Sequence, residues 1–159
     1  MLKEKLQEFA VRITQANRSG LVVIMYEIIE ADIEYAKELL MKEDFSGFEK
    51  ECRHAQKILS ELMATLDYRY SISFELLSLY SYCNKRVIAA CMKKKGGFLE
   101  EVKLVIGKLK IAYSEVSMQD MSGPVMKNTQ TLYAGLTYGR KSLNESSIAF
   151  NDEKRGFMA

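Results

Sequence analysis

Apolar side chains recur along most of this chain at the three-to-four-residue spacing of α-helices. Polar clusters and glycines interrupt that spacing at a few points, which mark the ends of helices. The pattern predicts five helices, over about Leu2–Gln15, Asn17–Lys42, Phe48–Leu66, Ser73–Lys94 and Phe98–Ser117. Because short connections join the four longer helices, the sequence predicts an all-α fold, an antiparallel up-down four-helix bundle with a short N-terminal helix.

The helical pattern ends shortly before Pro124, the only proline of the chain. Serine, glycine, asparagine and threonine dominate the remaining sequence, with scattered tyrosines and phenylalanines. We therefore predict a helical bundle domain over residues 1–118 and a flexible C-terminal tail over residues 119–159. The aromatic residues of the tail also allow it to dock on the bundle or on a partner.

The apolar arcs of the predicted helices differ in width. At about 100° per residue, the third and fifth helices keep their apolar side chains within about 140°, which one position in a bundle fills. The second and fourth helices spread theirs over roughly 220°. A groove that accepts an amphipathic helix of another protein is the common use of such extra apolar surface. The alternatives are a cover formed by the first helix and a homodimeric helical scaffold.

Eight residues are the candidates for this groove. They are Ile24, Ile28, Asp32 and Tyr35 on the second helix, and Leu77, Tyr80, Ile88 and Cys91 on the fourth. Asp32 is unusual because it lies in the middle of an apolar arc. It either meets a buried cationic partner or borders the groove beside solvent, and we favour the groove.

Composition narrows the environment in which this chain works. The formal net charge is only +2, and charged residues are spread along the helices, which disfavours a nucleic-acid partner. The cysteines, Cys52, Cys83 and Cys91, all lie in helical patterns, as expected of reduced thiols in the cytoplasm. The longest apolar run, Leu21–Tyr26, is too short to cross a bilayer, and the first residues do not resemble an export signal. We expect a cytoplasmic protein without membrane insertion.

His54, the only histidine, is the main candidate for chemistry. Glu51 and His54 form one Glu-x-x-His pair of a di-iron bundle, but such a site needs a second pair, so we expect no metal and no cofactor. His54 and Lys57 also fit a histidine phosphotransfer bundle, although Ile58 stands where that family has glycine. No phosphate-binding loop or catalytic triad is visible in the sequence. We therefore expect no enzymatic activity and keep phosphotransfer as the least favoured alternative.

The sequence resembles a known family in four segments. Residues 79–90, Leu-Tyr-Ser-Tyr-Cys-Asn-Lys-Arg-Val-Ile-Ala-Ala, resemble the Leu-Tyr-Asp-Tyr-Met-x-Arg-Arg-Leu-x-x-Ala signature of the flagellin-specific export chaperone family FliS. Met25-Tyr26-Glu27 resembles its Leu-Tyr-Asp segment. Residues 55–67 resemble Ala-Gln-x-Ile-x-x-Glu-Leu-x-x-x-Leu-Asp, and residues 99–102 open the last helix in the manner of the family.

The resemblance implies a cytosolic chaperone that binds the disordered C-terminal region of flagellin and prevents its premature polymerisation before export. It also implies contact with components of the flagellar export gate. The chain departs from the family pattern at Ile28 and Ile29, where small residues are usual, and at Cys91, where asparagine is usual. Those departures alter the expected shape of the groove.

Overall fold

Five helices form the part of the chain that a computed structural model describes, residues 3–126, with side chains from residue 5 onward. They are α1 Lys3–Gln15, α2 Arg18–Met41, α3 Phe45–Ala64, α4 Ile72–Lys93 and α5 Gly97–Gln119. No strand occurs within this range, and the helices pack on one another, so the predicted all-α class is confirmed. The predicted tail beyond residue 126 lies outside the described residues.

Helices α2 to α5 stand at the four corners of the bundle. α2 packs against α3 and α5, and α4 packs against the same two helices. α2 and α4 are therefore diagonal to each other, with α3 on one side and α5 on the other. α1 packs against α2, outside the square of four. This arrangement decides which apolar strips are covered and which stay open.

The core is mostly apolar, and a pair of tyrosines spans its diagonal. The hydroxyls of Tyr26 on α2 and Tyr80 on α4 are hydrogen-bonded inside the bundle, where both side chains are buried. Tyr113 of α5 meets the Tyr26 ring edge-on, with 5.6 Å between ring centroids. A buried hydroxyl without a hydrogen-bond partner is costly, and here each tyrosine hydroxyl is the partner of the other. The pair therefore fixes the two diagonal helices relative to each other.

The helix ends follow local capping chemistry, with two corrections to the sequence prediction. Asn17 caps α2 as predicted, its side chain accepting from the Gly20 N–H at 2.7 Å. α3 begins at Phe45 and not at Phe48, because the Asp44 carboxylate accepts from the Gly47 N–H at 2.9 Å and draws that glycine into the first turn. α4 ends at Lys93, and the next residue, Lys94, takes the left-handed conformation with φ of 51°. The left-handed turn after α4 is therefore made by Lys94, two residues before Gly96.

Residues just after α5 are bonded back to the start of α2. Asn17 Nδ2 donates to the Asp120 carbonyl at 2.9 Å, and the Ser19 hydroxyl donates to the Asp120 carboxylate at 2.8 Å. The Val125 N–H donates to the Ala16 carbonyl at 3.0 Å. The hydrogen bonds from Ser122 and Ser19 hold the pKa of Asp120 below its usual value. This segment, inside the predicted tail, is thus attached to the bundle.

The seam between α2 and α5 is lined by alternating charges at its solvent edge. Its ion pairs are Glu30 with Lys110, Glu34 with Lys103 and Lys37 with Glu100. Among residues 3–126, no helix combines the length and the hydrophobicity that a bilayer span requires.

Candidate functional site

The eight residues predicted to line a groove do not form one continuous surface. Asp32 and Tyr80 are buried in the bundle, and Ile24 is 4% exposed. The remaining members are the half-buried Ile28, Tyr35, Leu77 and Cys91 and the exposed Ile88. The physical reason is the bundle geometry: α2 and α4 are diagonal, so α3 separates the α2 residues from the α4 residues.

The apolar strip of α2 is largely covered. Ile24 and Phe9 of α1 are both buried, yet neither belongs to the main core cluster of the bundle. α1 packs on α2, so the burial of Phe9 and Ile24 outside the main core cluster is consistent with packing between these two helices. Arg12 of α1 reinforces it with an ion pair to Glu27 of α2 at 2.5 Å. Ile28 and Tyr35 pack against the main core.

The apolar strip of α4 stays open on the flank that faces α3. At about 100° per residue, Phe74, Leu77, Ile88 and Met92 share this flank. Phe74, Ile88 and Met92 are exposed by 57%, 41% and 79%, and Leu77 is half-buried outside the core cluster. Ser81 lies on the same flank, and its hydroxyl is 3.7 Å from the sulfur of Met63 on α3. The strip therefore borders α3.

Two α3 residues complete what we call the α3–α4 groove. Phe45 lies at the end near Lys94, whose ammonium is 4.0 Å from the Phe45 ring centroid. Met63 lies nearer the other end, beside Ser81. The sequence prediction missed Phe45 because it started α3 too late, and it missed Met63 because the apolar arc of α3 was narrow enough to be filled by the core. The groove is lined by Phe45, Met63, Phe74, Leu77, Ile88 and Met92.

The thiols beneath the groove are inert. Burial, followed by the neighbouring Cys91, raises the pKa of the Cys52 thiol to about 12. Burial likewise raises the pKa of Cys83 to about 11. Thiols with such pKa values stay protonated at neutral pH and act as small apolar side chains. Cys52 and Cys91 thus contribute packing between α3 and α4, and all three cysteines are free.

Asp32 does not border an open groove, which corrects our expectation. Its carboxylate is fully buried and lies 2.6 Å from Nδ1 of His54 on α3. Burial raises the pKa of Asp32 to about 7, although His54 acts in the opposite direction. Glu51, one turn before His54, is also buried and raises the same pKa. Asp32 and His54 therefore join α2 to α3, and the partner of Asp32 is an imidazole whose side chain is 44% exposed, not the buried cation considered from the sequence.

The described residues hold no group of three or more histidine, cysteine, aspartate or glutamate side chains arranged to bind a metal ion. The geometry offers apolar contact area and charged flanks. Such a surface suits the binding of another polypeptide.

Comparison with known families agrees with this geometry. The sequence model of the family described as Flagellar protein FliS matches residues 3–120, from the start of α1 to the end of α5. This chain belongs to the FliS family. FliS proteins form a flagellar export chaperone family, so the chain is a chaperone of flagellar assembly by family. No curated protein matches the sequence significantly.

The residues that resemble the FliS signature mostly hold the bundle together. Tyr26 and Tyr80, from the two Leu-Tyr-like segments, form the buried hydroxyl pair. Tyr82 donates from its hydroxyl to Glu101 of α5 at 2.6 Å, and Arg86 pairs with the same carboxylate. The signature thus describes the α4 contacts with α2 and α5. The groove residues on the other flank of α4 lie largely outside it.

Proposed function

We propose that this FliS-family chain binds the C-terminal segment of flagellin in the α3–α4 groove and holds it as a helix before export. The observation that carries the proposal is the uncovered apolar flank of α4, in a chain whose family is a chaperone family. Masking the flagellin segment in this way would prevent its premature polymerisation in the cytoplasm. Contact with the export gate would then release the client.

The dimensions of the groove suit a helix. From Phe74 to Met92 the α4 flank extends for about 27 Å at 1.5 Å per residue, which matches five turns of a client helix. The strip includes two methionines, Met63 beside Ser81 and Met92 at one end, and methionine adapts its shape to different apolar partners. An amphipathic helix that presents residues at i, i+3, i+4 and i+7 fits such a strip.

The proposal predicts that charging the centre of the groove abolishes client binding. In the double variant Leu77→Asp/Ile88→Asp, each lost apolar anchor removes about 1.5–3 kcal/mol, so affinity falls by at least about 100-fold. Calorimetric titration with a peptide of the flagellin C-terminal region measures this loss. The variant keeps its fold because Ile88 is 41% exposed and Leu77 lies outside the main core cluster.

A matched control separates the groove from general surface hydrophobicity. Leu104 and Ile111 of α5 are exposed by 61% and 63% and face outward, away from α3. The double variant Leu104→Asp/Ile111→Asp makes the same chemical change and should bind the peptide like the wild type. Equal binding by both double variants would show that the client does not use the α3–α4 groove.

Light scattering after size exclusion tests the homodimeric alternative. The proposal expects a one-to-one complex with the flagellin segment. An obligate dimer that ignores the peptide would contradict the chaperone function and favour a self-pairing scaffold. Client binding by the α2 residues Ile24, Ile28 and Tyr35 stays a prediction. It would require a client that displaces α1 from α2.

A further inference from the structure

A second surface, on the opposite flank of α3, differs in character from the α3–α4 groove. An open pocket of about 420 Å³ lies between α1 and α3. Leu6 of α1 lines one side of the pocket. Five residues from successive turns of α3 line the other side: Lys50, Glu51, Arg53, His54 and Lys57. The volume falls in the range of about 300–1,000 Å³ that is usual for ligand sites. We call this surface the basic pocket.

The charge of the basic pocket is strongly one-sided. Lys50, Arg53, His54 and Lys57 follow the i, i+3, i+4, i+7 spacing, which puts them on one face of α3. Among the side chains described from residue 5 to 126, Glu51 is the only acidic one that lines the pocket, and it is 8% exposed. The excess stands out in a chain whose overall net charge is +2.

The cations of the pocket are only partly neutralised within the described side chains. Arg53 is 3.7 Å from Glu49, and its own side chain is 77% exposed, so that pair is weak. Lys50 and Lys57 make no ion pair with any side chain between residues 5 and 126. His54 uses Nδ1 for Asp32, and Nε2 makes no hydrogen bond with these residues. The basic side chains of the pocket can therefore still pair with negatively charged groups of a ligand.

The shape of the array indicates what kind of anion fits. Lys50 and Lys57 are two helical turns apart, about 10 Å along α3, so the positive charges extend along the helix and are not gathered at one point. A peptide with several carboxylates can contact both lysines, because its acidic side chains repeat along a line. RNA fits less well, since none of the described residues that line the pocket is aromatic and able to stack on a base. The exposed Leu6 adds an apolar contact beside the charges, as peptide sites commonly have.

We propose that the basic pocket binds an acidic segment of a protein partner, independently of the client groove. Lys50, Arg53 and Lys57 pair with its carboxylates. His54 is held by Asp32 and contributes its free ring nitrogen. Because α3 separates this pocket from the α3–α4 groove, both surfaces can be occupied at the same time. A partner bound here would join the chaperone and its client to a further component.

Fluorescence anisotropy tests the proposal with a fluorescein-labelled decapeptide of alternating glutamate and serine. We expect saturable binding to the full-length protein in moderate salt, and no binding of the peptide with glutamine in place of glutamate. The double variant Lys50→Glu/Lys57→Glu should weaken binding about tenfold or more, because two surface attractions become repulsions. Amide shifts in NMR spectra of the wild type should map to α3.

The matched control is Lys95→Glu/Lys108→Glu, which changes the net charge by the same amount at exposed positions that do not line the basic pocket. It should bind the peptide like the wild type, and circular dichroism should show that both variants keep their helices. If both double variants lost the same affinity for the peptide, the loss would be explained by net charge alone, and the proposal would be overturned. Competition by inorganic phosphate or polyuridylate at the same charge concentration would overturn the assignment to a peptide.

Discussion

Replacing Asp32 by asparagine tests how the protein tolerates a buried carboxyl group. The side chain is fully buried, and burial is the largest cause of its raised pKa, from 3.8 to about 7. The contact with His54 at 2.6 Å opposes that rise but does not cancel it. Because the pKa is higher in the folded protein than in the unfolded chain, the folded state binds the proton more tightly. Stability from this group is therefore greatest at low pH and is lost as pH rises towards about 7.

The magnitude follows from the two pKa values. Each pH unit between them costs the folded state about 1.4 kcal/mol, because only the unfolded chain has released its proton. From pH 5 to pH 8 the cost accumulates up to the folded pKa of about 7 and then stops, which gives about 2–3 kcal/mol. Asparagine carries no charge at any of these pH values. The stability of Asp32→Asn relative to the wild type should therefore increase by about 2–3 kcal/mol between pH 5 and pH 8.

Urea unfolding followed by circular dichroism at pH 5, 6, 7 and 8 measures this difference. Subtracting the wild type from the variant cancels the titration of the groups that do not interact with Asp32. Asp67→Asn is the matched control, since Asp67 is solvent-exposed and Arg69 lowers its pKa, so its difference from the wild type should stay constant above pH 5. A constant or falling difference for Asp32→Asn would show that Asp32 is ionised throughout this range. The ion pair with His54 would then outweigh the cost of burial.

Two further predictions concern the packing and the turns of the bundle. Tyr80→Phe should destabilise the protein by about 1–2 kcal/mol because it leaves the Tyr26 hydroxyl without a partner, whereas Tyr26→Phe/Tyr80→Phe should cost less than the two single changes together. Strictly additive effects in urea unfolding would argue against the hydroxyl pair. Glu43 takes a left-handed conformation with φ of 58°, so Glu43→Gly should raise stability by up to about 1 kcal/mol and Glu43→Ala should not. Equal melting temperatures for the two variants would contradict that reasoning.

The helices were predictable because the signals that start and stop them are local. The Asn17 cap needs only residues up to Gly20, and the sequence placed it correctly. The start of α3 was predicted three residues late because Asp44, Ser46 and Gly47 are typical of loops. The decisive contact was the Asp44 side chain bonding to the Gly47 N–H. The same residue types serve both turns and helix caps, so their conformation depends on the following turn of helix.

The candidate site was predictable only in part. The sequence identified α2 and α4 as the helices with wide apolar arcs, and Leu77 and Ile88 do lie on the open flank of α4. The width of an arc does not state which neighbour covers each side of it. Packing of α1 on α2 covers Ile24, and the tyrosine pair takes Tyr80 into the core. The prediction therefore combined residues from two sides of α3 into one surface.

By itself, the sequence determined the five helices, the all-α class and the resemblance to FliS, because helical periodicity and short motifs are written in consecutive residues. The tertiary structure decided which apolar strip remains open, what partner Asp32 has, and where the basic residues of α3 meet α1. These features depend on residues far apart in the chain, such as Asp32 with His54 and Leu6 with Lys57. Their distances are set when the helices pack, since the same amphipathic helices could be placed at different corners of a bundle.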